Sequence, residues 1–399
     1  MRIALVTNLY PPIQTGTAYY THALARAMSG LGHEVMVVTC RAGGETVDSS
    51  EGGVRVKRLA ALRVPPNRAM LNFDDFKLAA RPGLVSRLAA LLVEHRAEVV
   101  QQCGHLLDFT YATPRAAHCV SIPSACSVHA MIGLPGRPRL DAIARAVDRW
   151  FVGPQAMRRY DAVLPLDRTM DRYVRDRYGV ERVVGAPWGI EFDFERRERI
   201  HLGTKGPLRI VSLGHVTEMR SRTTLLQAVA ELRARGVEVK LRIVGKECTL
   251  TTRELAGTLG IADAVIFTGE LPREEALAEL AHADVQANWI TNPGVGSGAM
   301  ESMAMGVATM LWAQPDQLGF AALEHLDNAL LIDPADPSAI ADALAMLAGD
   351  RQLLDRIGAR ARETARAGFG WGAAAERMQH IYRTLIERHA GAPLGVRRS

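Results

Sequence analysis

The chain presents the same supersecondary unit twice, and that repetition limits the folds open to it. Ile3-Ala4-Leu5-Val6 is a short apolar run suited to a buried strand. A loop follows, Tyr10-Pro11-Pro12-Ile13-Gln14-Thr15-Gly16-Thr17, and then Tyr20, Leu24, Ala27, Met28 and Leu31 recur at helical spacing. Gly32 stands where a helix C-terminal cap belongs, and Glu34 to Thr39 reads as the next strand. In the second half Arg209 to Gly214 is a strand, Leu225, Leu226, Val229 and Leu232 form a helical stripe closed by Gly236, and Leu241 to Gly245 is the next strand. Alternating strands and helices predict an α/β protein with parallel sheets. Each half opens a doubly wound sheet, and two such domains imply a cleft between them. Ligands of these sheets bind beyond the carboxyl ends of the strands, so the loops there are where chemistry is expected.

The second half continues with strands at Ala264 to Thr268, Asp284 to Trp289 and Val307 to Leu311, and helices at Arg273 to Ala281 and Gly298 to Met305. The expected boundaries are a first domain over 1–194, a charged linker over 195–205 and a second domain over 206–370. The long amphipathic helix of 371–399, with Met378, Ile381, Tyr382 and Leu385 on one face, is expected to cross back to the first domain. A chain of 399 residues, 48% apolar and 23% charged, can bury two cores and is not a disordered or low-complexity chain. Lys and Arg total 48 against 43 Asp and Glu, so the formal charge is only +5 and no basic stripe points to nucleic acid. The five cysteines, Cys40, Cys103, Cys119, Cys126 and Cys248, match no zinc spacing, and no run reaches a membrane span. The expected compartment is the cytoplasm.

Several loops carry candidate chemistry. Gly16 before a helix N-terminus lets backbone approach a ligand and offers free N–H groups to an anion, although an ordinary turn glycine reads the same way. Asn292 to Glu301 holds Gly294, Gly296 and Gly298 between a strand and a helix, an arrangement suited to phosphate, with Glu301 placed to accept from ribose hydroxyls. Gly214 to Arg220 offers His215 and Arg220 as phosphate partners. His129, in Ser127-Val128-His129, and His105, in Cys103-Gly104-His105, are strand-end imidazoles that serve either as functional hydrogen-bond partners or as structural ones. The basic segment Arg137 to Arg159 either lies on an anionic membrane or covers its own domain, the reading favoured by the sequence. No metal-ligating cluster is evident. Gly294 to Gly298 spells Gly-x-Ser-x-Gly, but no Asp and His with triad context support a hydrolase elbow.

Taken together and in order, these residues resemble the retaining family 4 glycosyltransferases, of the GT-B fold with two Rossmann-like domains. Tyr10-Pro11-Pro12, the Gly16 loop and Leu31 to Val35 look like the family's N-terminal signature, and Ser127-Val128-His129 its active-site histidine segment. Pro187 to Glu191 looks like its interdomain motif, Gly214 to Leu226 its phosphate loop and helix, Phe267 to Leu271 its base-binding loop, and Gly294 to Gly306 its Glu-x7-Glu region. The resemblance implies roles. Gly16 lies against the donor diphosphate and His129 contacts the transferred sugar. Arg220, with His215, faces the departing diphosphate. Backbone from Gly269 to Leu271 holds the base. Val295 and Gly296 offer amides to the sugar, Ser297 and Gly298 to the phosphate, and Glu301 binds the ribose. His105 is placed with the acceptor. The family needs no metal and no cofactor beyond the nucleotide-sugar, UDP- or GDP-linked.

Four positions depart from the family pattern: Pro293 replaces the first Glu, His215 an Arg, Thr15 a Gly and Trp188 an Asn. The expected activity is sugar transfer, with retention, from a nucleotide-sugar to a small polar acceptor in specialised-metabolite (antibiotic-type) biosynthesis, such as a cyclitol, a thiol or an aminoglycoside-like molecule. The missing first Glu suggests a modified sugar. Alternatives are a lipid or polysaccharide acceptor at the membrane surface, a non-catalytic nucleotide-sugar binder, and another GT-B chemistry such as epimerisation. No nucleic-acid partner is expected, and the sequence does not set the oligomeric state.

Overall fold

The computed structural model describes residues 1–13, 15–42, 46–64, 76–79, 82–132, 138–186, 188–200, 206–217, 222–289 and 292–391. The chain divides into two compact units, Met1–Trp188 with Trp371–Ser399, and Gly189–Gly370.

The first unit runs β1 (Arg2–Val6), α1 (Gly16–Gly30), β2 (Glu34–Ala42), β3 (Val47–Glu51), β4 (Val54–Val64), β5 (Phe76–Leu78), α2 (Leu84–Glu94), β6 (Val99–Cys103), α3 (Phe109–Cys119), β7 (Ser124–Val128), α4 (Pro138–Val147), α5 (Gly153–Gln155), β8 (Ala162–Pro165) and α6 (Arg168–Tyr178). Its eight-stranded sheet has the order β3-β4-β2-β1-β6-β7-β8, with β5 paired to β4. From β4 to β8 neighbouring strands are parallel, as the strand–helix alternation predicts, while β3 and β5 add antiparallel pairings. α1 starts where Thr15 caps it, its hydroxyl accepting from the Ala18 N–H at 3.1 Å. The helix buries Tyr20, Leu24 and Met28 against Ile3 and Leu5 of β1.

The second unit runs β9 (Leu208–Leu213), α7 (Thr223–Ala234), β10 (Val239–Val244), α8 (Thr251–Thr258), β11 (Val265–Gly269), α9 (Arg273–Ala281), β12 (Val285–Ala287), α10 (Ser297–Met305), β13 (Ala308–Leu311), β14 (Leu330–Leu331), α11 (Pro337–Gly349) and α12 (Arg351–Gly368). Its six strands are ordered β11-β10-β9-β12-β13-β14, all parallel. Leu225, Leu226, Val229 and Leu232 of α7 are fully buried against Ile210, Leu241 and Ile243. The predicted stripe is therefore the packing face.

The last helix, α13 (Trp371–Gly391), belongs to the first unit. Trp371, Met378, Tyr382 and Leu385 join the core of α1 and β1. The charged stretch read as a linker over 195–205 is different from expectation in its described part. Arg199 is buried in the second unit, where its Nη2 donates to Asp284 Oδ1 at 2.7 Å and its Nη1 to Asp355 Oδ1 at 2.6 Å. Polarity alone marked these residues as solvent-facing, but paired charges are tolerated inside. Residues 201–205 lie outside the described residues.

The segment read as covering its own domain does so only in its second half, where Val152 and Met157 join the core with Cys126 and Val128. In α4 and the turn after it, Leu140, Ile143, Val147, Trp150 and Phe151 are all exposed. Arg137 of that segment lies outside the described residues.

Candidate functional site

In the first unit the strand order reverses between β1 and β6, the place where a doubly wound sheet leaves a crevice at its carboxyl end. A small void of about 30 Å³, partly open to solvent, lies there, lined among others by Asn8, Thr17, Gln102, Gly104, His105 and His129. Gly104 makes the turn after β6. Its φ is +81°, and a Cβ there would come within 3.1 Å of Thr17 Cγ2, so a side chain would meet both backbone strain and a clash. That turn delivers His105 into the void.

His129 follows β7 and is held from both sides. Its Nε2 lies 2.8 Å from Ser127 Oγ and its Nδ1 3.1 Å from Thr17 Oγ1. The Tyr20 ring meets its ring edge-on at 4.5 Å between centroids. Behind Ser127 the network continues into the core. Gln101 Nε2 donates to Ser127 Oγ at 3.1 Å, and the Tyr382 hydroxyl of α13 donates to Gln101 Oε1. The helix that ends the chain thus supports the imidazole of His129 through three buried links. Burial, followed by the charge of His105, pulls the pKa of His129 down to about 3.

His105 is 1% exposed, and neither ring nitrogen has a hydrogen-bond partner among the described residues. Burial pulls its pKa down to about 4. The rings of Tyr173 and Tyr178 approach it edge-on at 6.3 and 6.1 Å. Nearby, Asp108 accepts from Asn8 Nδ2 at 2.6 Å through Oδ1, while its Oδ2 is buried without a partner. Burial raises the Asp108 pKa. At neutral pH both imidazoles are uncharged, so the void offers directional hydrogen bonds without a positive field. Such a lining suits hydroxyl groups better than phosphate.

In the second unit the order reverses between β9 and β12. The ends of β9 and β10 press together there: at Gly245, φ +143°, a Cβ would lie 2.5 Å from the Gly214 carbonyl. The Gly245 N–H donates to Gly269 O at 2.9 Å, tying the end of β11 to the same corner. His215 Nδ1 accepts from the Lys246 N–H at 3.1 Å, so in the neutral ring the proton sits on Nε2, as a donor. α10 starts at this edge with no side-chain cap on its N-terminus, and Gly298 packs on Leu213 of β9. Its exposed amides and dipole favour an anion.

Glu301 lies one turn into α10 and is 13% exposed, paired with Arg273 Nη1 of α9 at 2.7 Å. Arg273 also donates to the Glu191 carbonyl. Burial raises the Glu301 pKa, opposed by the Arg273 charge.

Residues 193–364 match the family described as Glycosyl transferases group 1, and residues 15–187 match the Glycosyl transferase 4-like domain. Solved GT-B structures superpose over nearly the whole chain. Sucrose-phosphate synthase from Thermosynechococcus elongatus gives a TM-score of 0.69 at 16% identity, over 97% of this chain and 100% of that one. The chain belongs to the family 4 glycosyltransferases.

Anabaena HepE, solved with UDP and glucose, shares the GT-B fold at a TM-score of 0.68 and 14% identity, over 96% of this chain and 100% of that one. Among curated family members, the D-inositol 3-phosphate glycosyltransferase of Corynebacterium efficiens is 33% identical over 49% of this chain, and the match spans 48% of that protein's length. The GDP-mannose-dependent alpha-(1-6)-phosphatidylinositol monomannoside mannosyltransferase of Mycobacterium tuberculosis is 26% identical over 96% of this chain and 98% of its own.

Within this glycosyltransferase the structure gathers His105 and His129 around one void, with Gly16 beside Thr17 at the start of α1. Around the corner of the second unit it gathers Gly214, His215, Gly269 and the Val295 to Gly298 turn into α10. Leu271 packs with Leu277 and Leu280, and Val295 is buried, so their side chains belong to the core and their backbone is what a ligand would meet. Arg220 lies outside the described residues, as does Pro187 of the interdomain motif. Two residues escaped the sequence reading. Arg222 is fully buried and donates to Gly214 O at 2.8 Å, bracing the phosphate-loop strand end. Asn288 donates to Leu213 O and, among the described residues, leaves Oδ1 buried without a partner beside the same strand end. The only sequence signals were a polar residue just after an apolar strand, for Asn288, and an Arg just before a helix, for Arg222.

Proposed function

We propose that this enzyme transfers a sugar, with retention, from a UDP- or GDP-linked donor to the hydroxyl of a cyclitol. The second unit binds the nucleotide-sugar: the α10 N-terminus and Arg220 receive the diphosphate, Glu301 the ribose, and backbone from Gly269 to Leu271 the base. Fixed cations and amides, in place of a metal, stabilise the departing diphosphate. The first unit presents the acceptor near His105 and the sugar near His129.

The observation that carries the acceptor class is the uncharged, hydrogen-bonding void with both nitrogens of buried His105 unpaired. Both kinds of curated relative are named for an inositol compound, inositol 3-phosphate in one and a phosphatidylinositol mannoside in the other. The test is direct. The protein is incubated with UDP- and GDP-hexoses and myo-inositol or inositol phosphate, and the product's mass and anomeric configuration are read by mass spectrometry and NMR. The expected product is a glycosyl-inositol with the donor's anomeric configuration. Inversion would refute retention, and donor hydrolysis without transfer to any cyclitol would refute the acceptor class.

A further inference from the structure

We infer that α4 and the turn that follows it form a docking surface for an anionic lipid bilayer. In most globular helices the apolar stripe faces the core and the polar residues face water. Here the arrangement is reversed. The helix is anchored to its unit by polar contacts. Asp148 is buried, accepting from the Tyr178 hydroxyl at 2.6 Å and from the Tyr173 hydroxyl, and Arg177 Nη1 donates to Arg145 O at 2.9 Å. Val152 and Met157 pack inside, but the large apolar residues from Leu140 to Phe151 are left outside. Leu140, Ile143, Val147, Trp150 and Phe151 recur at three- and four-residue spacing and are 47, 61, 53, 75 and 54% exposed. Five large side chains exposed together within twelve residues are not the scattered singles of an ordinary surface.

Charge selects the occupant. Arg139, Arg145, Arg149, Arg158 and Arg159 are exposed along the same segment, against Asp141, which pairs with Arg145 at 2.9 Å, and the buried Asp148. A second copy of this chain would bring the same excess of positive charge to the contact. Lipid phosphates would neutralise it, at about 1 kcal/mol of attraction for each exposed basic residue. Trp150 carries Arg149 over its ring at 5.6 Å, an apolar body with a cation beside it, which suits the headgroup level. Among the described residues no helix is long and apolar enough to cross a membrane, so the surface would lie in the interface plane.

The inference needs no nucleotide and stands apart from the proposed transfer. The intact protein is mixed with vesicles of phosphatidylcholine alone or with 30% phosphatidylglycerol (roughly the anionic content at which basic segments bind) and sedimented. Binding to the anionic vesicles is expected, lost in high salt, with a blue shift of tryptophan fluorescence that Trp150→Phe removes. Ile143→Asp with Trp150→Asp should cut the bound fraction about tenfold or more. Both positions are exposed, so circular dichroism and the melting temperature should stay unchanged. Equal vesicle binding by the double variant would overturn the inference. So would no vesicle binding by the parent protein, or a concentration-dependent dimer in light scattering that the double variant abolishes.

Discussion

Glu301 gives the sharpest separation between a folding role and a binding role. Its partner Arg273 is 43% exposed, so in Glu301→Ala the guanidinium falls back on water and on the Glu191 carbonyl. A pair of that exposure contributes up to about 1 kcal/mol to stability. A carboxylate that accepts ribose hydroxyls contributes more to binding, about 1.5–3 kcal/mol for hydrogen bonds to a charged group, or roughly 10- to 150-fold in Kd. Titration calorimetry with UDP and GDP should therefore show a loss of that size, while the melting temperature of the free protein moves little. Arg273→Ala removes a competitor for the same carboxylate, and nucleotide affinity should stay level or tighten. A ribose-modified analogue closes the cycle: the parent protein should bind the deoxynucleoside diphosphate more weakly, and Glu301→Ala should not distinguish it. Unchanged affinity in a well-folded Glu301→Ala protein would remove Glu301 from the site and refute the reasoning.

Four further outcomes follow from the same geometry. His105 is buried and His129 half-buried, both with lowered pKa values, so the unfolded chain takes up their protons first, and stability should fall as pH drops from about 6.5 toward 4, by up to about 1.4 kcal/mol per pH unit for each. His105→Leu should flatten that acid limb in urea melts, and an unaltered limb would contradict it. Tyr382→Phe leaves Gln101 Oε1 short of a buried donor and should cost about 1–3 kcal/mol, with a fall in turnover at unchanged nucleotide affinity as His129 loses its support. Asp284 accepts from Arg199 and Arg209 in the core of the second unit, and Asp284→Ala should cost about 3–5 kcal/mol in chemical denaturation. Gly16→Ala meets nothing within 4 Å inside the protein, so the melting temperature should hold while donor affinity falls if the diphosphate lies against it.

The fold was legible where apolar periodicity was strong. The runs at Ile3 to Val6, Val35 to Val38, Ile210 to Leu213 and Leu241 to Val244 all became neighbouring parallel strands, because a buried strand needs a continuous apolar run. The β3–β4 hairpin was missed although Gly52-Gly53, both at positive φ, is a two-residue hairpin signal; the polar run Val47 to Glu51 hid it, since an edge strand need not be apolar. The charged residues of 195–200 were misread because pairing across 85 residues, as between Arg199 and Asp284, leaves no local trace. The same holds for the support of His129 by Tyr382, a contact between residues 101 and 382. The exposed face of α4 was misread for the opposite reason: its apolar spacing is that of a packed helix, and only the structure reveals that those side chains stay exposed.

Thermal unfolding in the presence of UDP, GDP, ADP or dTDP tests most directly whether a nucleoside diphosphate enters the second unit. One nucleotide should raise stability selectively, by about 2.7 kcal/mol at a hundredfold excess over its dissociation constant, and Glu301→Ala should blunt the rise. Four unchanged melting curves at millimolar nucleotide would contradict the donor site and the transfer reaction built on it.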